Sequence, residues 1–364
     1  MSLSSVARRP SISNRALLGI AAAGLIMSAA MGVRQTFGLF VEPLAADYGF
    51  PLTIVAFAIA LHNLVWGFAQ PVAGAAADRY GAAPVVAFGA VVFASGMATA
   101  ACAASDGMLV LGLGVLVGIG VSCTTFGVVL TAIGRAAPPE KRSMAMGLAS
   151  AGGSLGQVLI VPLAQHITDL QGATTSLLVL AAIVLAATPL GLLLRSGQAG
   201  AAAPETHVPL RVAIDQALAN RGYRLLTLGF FTCGFQLAFI ATHLPAYLVT
   251  CQMPAKTGAA ALALIGLFNM AGSWGCGWLG GRFRQQNVLG WLYLIRGVAI
   301  GAFFLLPKSG ISVMIFAAVM GLTWLGTVPL TSGLVAKVFG TRHLATLFGL
   351  NMMLTAADGG ASAP

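Results

Sequence analysis

The chain is short of charge. Asp, Glu, Lys and Arg make up 8% of its 364 residues, against about a quarter in an ordinary soluble domain. No aqueous surface can be built from so little, and with 58% of residues hydrophobic the outer shell has to face lipid. Cysteine is sparse as well. Cys102, Cys123, Cys233, Cys251 and Cys276 show neither Cys-x-x-Cys nor histidine at metal-ligand spacing, so the pattern indicates no disulfide framework and no metal site. Each reads as a small packing residue. Alternating strand patterns are missing too: the apolar runs are about 20 residues long, the length of a membrane helix, where a barrel would show alternation over about ten. The fold class is therefore all-α, a polytopic transmembrane helical bundle.

The apolar runs are expected at 16–40, 52–73, 84–104, 108–133, 144–164 and 174–194, then at 225–249, 257–279, 288–306 and 311–338, with an eleventh opening near Leu344. Between the two groups, 196–222 is rich in Gly, Ala and Pro and then in charge, the composition of a linker. Within it, Leu210, Ile214 and Leu218 recur at helical spacing beside Arg211 and Asp215, which predicts a short helix on the membrane surface. The expected organisation is an N-terminal bundle over 1–195, a linker over 196–222 and a C-terminal bundle over 223–364.

The net charge of +10 would point to nucleic acid in a soluble protein, but the basic residues sit in the loops between apolar runs, where they set orientation. Arg8, Arg9, Arg15, Arg79, Arg135, Lys141, Arg142, Arg195, Arg211, Arg221, Arg224, Arg282, Arg284, Lys337 and Arg342 fall on one side and only Lys256 and Lys308 on the other. By the positive-inside rule the N-terminus and the linker are cytoplasmic, and nucleic acid is excluded as a partner. The Arg8-Arg9 pair precedes an apolar run of about 25 residues, too long for a cleaved export signal, so it reads as the flank of an uncleaved first helix.

The two groups of spans resemble each other at a near-constant offset. Gly32-Val-Arg34-Gln-Thr-Phe37 and Pro43 align with Gly234-Phe-Gln236-Leu-Ala-Phe239 and Pro245 at 202; Gly74 and Arg79 align with Gly277 and Arg282 at 203; Gly147-Leu148 aligns with Gly349-Leu350 at 202. A repeat of this length describes two parallel, pseudo-symmetric six-helix halves with a substrate site near the midplane between them. Completing the second half would take about 400 residues on that arithmetic, so the C-terminal half reads as truncated, with about ten full spans and a partial eleventh.

Gly74-Ala-Ala-Ala-Asp78-Arg79-Tyr80-Gly81, in the loop after the second span, resembles the signature of the major facilitator superfamily: Gly, three residues, Asp, a basic residue, one residue, Gly. Ala82 and Ala83 stand where that family usually has basic residues, so a weaker charge network is expected around the loop. Physically, Gly74 permits close helix approach, Asp78 can accept hydrogen bonds from an exposed helix N-terminus, and Arg79 can face anionic headgroups. Gly74, Asp78, Arg79 and Gly81 are thus the expected gating residues, a loop that merely orients helices being the alternative. Gly32 to Phe40, Gly156-Gln157 with Pro162, and Phe231-Thr-Cys-Gly-Phe-Gln236 are similar to bacterial carriers of the monocarboxylate or oxalate-formate type. Two marks of proton-coupled drug exporters are absent: an arginine in the fourth helix, which reads Gly112 to Gly120, and a Gly-Pro pair in the fifth. The resemblance implies a bacterial inner-membrane location.

An arginine at a helix centre costs on the order of 3 kcal/mol on insertion scales and needs a compensating role. Arg34 and Arg296 are the two in such positions, while all nine acidic residues (Glu42, Asp47, Asp78, Asp106, Glu140, Asp169, Glu205, Asp215, Asp358) lie in loops, at helix ends or in the tail. A cation with no intramembrane carboxylate predicts that the ligand supplies the counter-charge, as an organic carboxylate held bidentately. The resemblance implies that helices one, four, seven and ten face the cavity. This favours Arg34 over Arg296, which is expected to pack structurally or to snorkel; a strut to helix-end carbonyls is the alternative for Arg34. Gln236, at the repeat position of Arg34, with Thr124, Thr125, Thr323, Trp324 and Thr327, forms a second tier of substrate contacts, each with packing as its alternative. Asn63, Gln70, Ser154, Gln157 and Asn269 are expected to bond between helices. His62 and His243 titrate if transport is proton-coupled, the alternative being a hydrogen-bonded structural histidine.

Gly152-Gly-Ser154-Leu-Gly156 matches the Gly-x-Ser-x-Gly nucleophile pattern, but it lies inside a helical span and also reads as Gly-x-x-x-Gly packing, with no His and Asp paired to it. The expectation is a carrier of a small organic anion that is not an enzyme and needs no cofactor or metal, assumed monomeric, with the bilayer and a coupling proton or counter-anion as partners. The alternatives are drug or sugar efflux on the same architecture, and a non-transporting or inactive membrane protein.

Overall fold

The computed structural model describes residues 14–46, 48–197 and 209–361. The Arg8-Arg9 pair, Asp47, Glu205 and the rest of 198–208 in the expected linker lie outside the described residues, as do the side chains of Arg15, Arg195, Lys256 and Asp358. No strand occurs among the described residues.

Helix α1 (Asn14–Gln35) passes through one tight 3-10 turn (Phe37–Phe40) into the short α2 (Val41–Ala46), followed by α3 (Leu52–Tyr80) and α4 (Ala82–Ala101). The next pass is assembled from α5 (Asp106–Leu109), a π-helical stretch (Val110–Leu116), α6 (Val117–Thr124) and α7 (Phe126–Ala136). Helix α8 (Arg142–Ala187) ends in a 3-10 stretch (Thr188–Gly197), and α9 (Leu210–Ala219), α10 (Arg221–Thr250), α11 (Ala255–Arg282), α12 (Gln285–Leu305), α13 (Gly310–Thr323), α14 (Thr327–Phe339) and α15 (Leu344–Ala361) complete the chain. Two starts have clear local causes. Ser105 accepts a bond from the Met108 N–H ahead of α5, and Ser309 with Ser312 forms a reciprocal capping box ahead of α13, each satisfying a donor that a helix start leaves unpaired.

Among the described residues, eight helical stretches are long and apolar enough to cross a membrane. One of them, Arg142–Leu194, takes in both the fifth and sixth expected spans. The chain reverses within it at Gly172 (φ 82°, ψ 169°), a backbone conformation that side chains other than hydrogen disfavour. The first run extends past Phe40 as far as Ala46, and α15 continues through the stretch after Thr355, which by composition reads as a tail. The short helix expected at Leu210 is present as α9. It buries Ala213 and Ala217, packs the half-buried Ile214 against the same cluster and leaves Leu218 51% exposed.

Many large apolar side chains point away from the protein, among them Leu305, Ile311, Val72 and Trp291. A soluble monomer rarely shows so much apolar surface; a lipid-facing one does. Inside, α1 lies along α8, α3 along α15 and α11 along α8. The last two pairings join helices from either side of the 198–208 segment.

Candidate functional site

Two of the expected continuous spans are broken in mid-course. Thr125 is extended (φ −119°, ψ −153°) between α6 and α7, and residues 324–326 separate α13 from α14. A broken helix in lipid exposes carbonyl and N–H groups that neighbouring side chains have to satisfy. Arg34, Thr125, Thr323, Trp324 and Thr327 gather around these two breaks.

At the first, the Thr125 hydroxyl donates to the Val121 carbonyl at 2.7 Å and accepts from Trp66 Nε1 at 3.3 Å and Gln70 Nε2 at 3.4 Å. Trp66 in turn carries the Arg34 guanidinium over its ring, 4.5 Å from the centroid. Arg34 Nη2 donates to Asn63 Oδ1 at 2.7 Å and Nη1 to Gln35 Oε1 at 3.5 Å, while its Nε, though buried, has no partner among the described residues. Asn63, Trp66 and Gln70 stand at i, i+3 and i+7 on α3, the spacing of one helix face. The sequence marks Asn63 and Gln70 of this stripe as helix-to-helix ties and gives no sign of the part played by Trp66. No carboxylate is paired with Arg34 among the described residues; Asp78 pairs instead with Arg135.

At the second break Arg296 is fully buried. Its Nη2 donates to the carbonyls of Thr323 and Trp324, the latter at 3.2 Å, and its Nη1 to Cys233 Sγ at 2.8 Å. The last carbonyls of α13 form the negative end of its dipole, so Arg296 is a packed structural cation and does not snorkel. Thr323 and Trp324 take part through backbone oxygens, the Thr323 hydroxyl bonding back to the Val319 carbonyl at 3.0 Å. Thr327, also buried, sits 3.5 Å from Cys233 Sγ. Asn269 completes the break, accepting from the Leu325 N–H at 3.0 Å and donating to Ser154 Oγ at 3.0 Å. Ser154 is thus a helix-to-helix tie, as are Asn63 and Gln70.

The remaining candidates fall elsewhere. The Thr124 hydroxyl donates to the Gly120 carbonyl at 2.9 Å, and the residue borders a small void with Ile26, Ala30 and Ala90. Gln236 is half-buried, with no partner for its Oε1. His62 is buried edge-on against Phe37, ring centroids 5.2 Å apart, and neither ring nitrogen has a hydrogen-bond partner among the described residues, unlike the hydrogen-bonded core histidine of the alternative reading. His243 lines a mainly aromatic cavity of about 340 Å³ with Phe239, Tyr247 and Phe303.

Gly74 to Tyr80, expected in a loop, form the last turns of α3; there the Asp78 carboxylate pairs with Arg135 and accepts from the N–H groups of Ala345 (3.2 Å) and Thr346 (2.9 Å) and from the Thr346 hydroxyl (2.6 Å). These donors form the first turn of α15, the positive end of its dipole. Arg135, absent from the candidates read in sequence, also donates through Nε to the Thr341 carbonyl at 2.8 Å and through Nη2 to the Arg342 carbonyl at 2.9 Å. Gly74 is where α3 meets α15: a Cβ there would lie 2.6 Å from the Ala345 carbonyl carbon, which no side chain tolerates. Gly81 turns the chain from α3 into α4 at φ 90°. Arg79 is exposed and stacks over Tyr80 at 5.1 Å.

Among curated proteins, the chain is 28% identical over 355 residues to monocarboxylate transporter 11 of Mus musculus, covering 93% of this chain and 77% of the relative. It is 24% identical to the uncharacterized MFS-type transporter YcxA of Bacillus subtilis (90% and 82% covered) and to the oxalate:formate antiporter of Oxalobacter formigenes (89% and 78%). Among solved structures it overlays on the E. coli fucose:proton symporter FucP with a TM-score of 0.71 at 16% identity, covering 96% and 90% of the two chains. On the human organic anion transporter MFSD10 the values are 0.62 and 18%, covering 98% and 93%. Residues 17–364 match the family model of the Major Facilitator Superfamily; together with the helical fold and the loop around Asp78, this establishes the chain as a membrane-spanning member of that superfamily, a transporter and not an enzyme.

Proposed function

We propose that this transporter carries a small organic anion, most simply a monocarboxylate, by alternating access. The observation that supports this most directly is Arg34, a cation within an apolar span, held by two amide oxygens and an indole ring and paired with no carboxylate among the described residues. Neutral partners orient a guanidinium without cancelling its charge, so the counter-charge is left to the cargo. Relatives named as monocarboxylate transporters and as an oxalate:formate antiporter favour the same class. Gln236, whose Oε1 lacks a partner, supplies a second polar contact from α10, and Thr125 and Thr327 mark the broken helices on either side.

In this reading the chain comprises an N-terminal six-helix bundle over 1–195, a cytoplasmic linker over 196–222 and a C-terminal bundle over 223–364, about ten full spans and a partial eleventh in all. The N-terminus is cytoplasmic and the membrane is the bacterial inner membrane. Asp78, with Arg135 and the first turn of α15, is the latch that holds one end of the pathway shut, Gly74 and Gly81 allowing the approach. His62 and His243 are the candidates for proton coupling. The test is uptake of a labelled carboxylate into proteoliposomes. Arg34→Gln should abolish it at unchanged expression and insertion; normal uptake by that variant would overturn the anion-site assignment.

A further inference from the structure

The arrangement around Asp78 recurs about 202 residues later with one part changed. Gly74 and Arg79 correspond to Gly277 and Arg282, Arg135 to Lys337, and Ala345, whose N–H Asp78 holds, to Ser143 in the first turn of α8. The backbone contacts keep the same pairing. Gly74 meets the Ala345 carbonyl, and a Cβ on Gly277 would lie 2.8 Å from the Ser143 carbonyl oxygen. At the position corresponding to Asp78 stands Gly281. The cation and the helix N-terminus are kept, and the carboxylate that neutralises them is replaced by a hydrogen atom.

A cavity of about 440 Å³ lies at this point, between the start of α8 and the facing ends of α11 and α14. Lys337, Arg282, Arg142 and Ser143 line it, with Glu140 as the single carboxylate. Ser143 is 3% exposed, and its hydroxyl has no hydrogen-bond partner among the described residues. The Oε1 of Gln285, on the same wall, has none either. Lys141 occupies the N-cap position of α8 and gives no side-chain cap, where Asp78 supplies a carboxylate to the first turn of α15.

We propose that this cavity binds a phosphate group, which takes the part that Asp78 plays at the other site and ties α8 to α11 and α14. A helix N-terminus, a buried hydroxyl, a lysine and an arginine offer donors to several oxygens of one anion, and the cavity is larger than a lone carboxylate needs. The group comes either from an acidic lipid headgroup or from soluble phosphate. The inference is independent of the transported substrate, because binding is read without transport.

The test measures thermal unfolding midpoints of the delipidated protein in phosphate-free maltoside micelles. One arm adds phosphatidylglycerol, the other inorganic phosphate against chloride at equal ionic strength. A midpoint raised by the lipid alone assigns the headgroup, and one raised by inorganic phosphate assigns the soluble ion. In either case Gly281→Asp should remove the increment, since the new carboxylate occupies the site; a Cβ there meets nothing nearer than the Glu140 carbonyl oxygen at 3.5 Å, so the variant fits. Lys337→Gln should weaken the increment without itself supplying an anion. No shift in either arm, or the same shift in Gly281→Asp, would overturn the proposal and leave Glu140 as the counter-charge.

Discussion

Arg34 and Arg296 are both arginines within apolar helices, and they differ in what surrounds them. Arg296 is sealed, and it spends its donors on the carbonyls that end α13 and on the Cys233 sulfur. Arg34 is half-buried, and its named partners are side-chain amides and an indole, with no backbone carbonyl among them; the Nε of each arginine has no partner among the described residues, and Arg296 also lies 5.9 Å from the Tyr293 ring. A charge at a helix end is answered by the helix dipole, whereas a charge over an aromatic ring is oriented but keeps most of its field. Burial of a cation therefore does not identify a ligand site by itself; the kind of partner does.

The sharpest way to break this comparison is Arg296→Met. It strips the donors from the Thr323 and Trp324 carbonyls, and unpaired buried acceptors cost about 1–3 kcal/mol each, so loss of folded protein is expected, seen as aggregation in detergent chromatography. Arg34→Gln should leave that chromatogram unchanged and lower carboxylate uptake by about a hundredfold, the loss of one charge-assisted bidentate contact at roughly 2–3 kcal/mol. If the two variants exchanged phenotypes, the roles would have to be exchanged as well. Arg34→Lys keeps the charge but not the planar fork, and a fall of about tenfold is expected in the same assay. Asn63→Ala removes the 2.7 Å bond that aims Arg34 and should weaken apparent affinity by a few-fold, about 1 kcal/mol, with maximal uptake less affected. The smallest effect is expected from Ser154→Ala, about 1 kcal/mol of stability with transport retained, read as a modest drop in the thermal midpoint. Retained transport there would also reconfirm that the Gly-x-Ser-x-Gly pattern is packing.

The Asp78 cluster was legible as a motif because its residues are contiguous and a carboxylate beside a helix N-terminus is a local idea. Its partners were not: Arg135, Ala345 and Thr346 lie 57 to 268 positions away, and nothing in composition joins them. The polar stripe Asn63, Trp66 and Gln70 was visible at helical spacing, yet only the structure connects it to Arg34 on one side and Thr125 on the other. Thr323 and Trp324 were singled out for their side chains and act through their carbonyls, a role that sequence does not encode by residue type. The helix breaks at Thr125 and before Thr327 went unread because hydropathy measures solvent preference and is blind to backbone dihedrals.

Composition and loop charge by themselves determined that this is an all-helical membrane protein, because the lack of polar surface and the run length near 20 residues leave no other way to satisfy the backbone in lipid. The motif around Asp78 marked the end of α3 that meets α15. Which intramembrane arginine meets helix-end carbonyls and which meets side-chain amides was decided by tertiary structure alone, since both have the same side chain in similar apolar surroundings. What separates them is whether a helix happens to end within reach of the guanidinium.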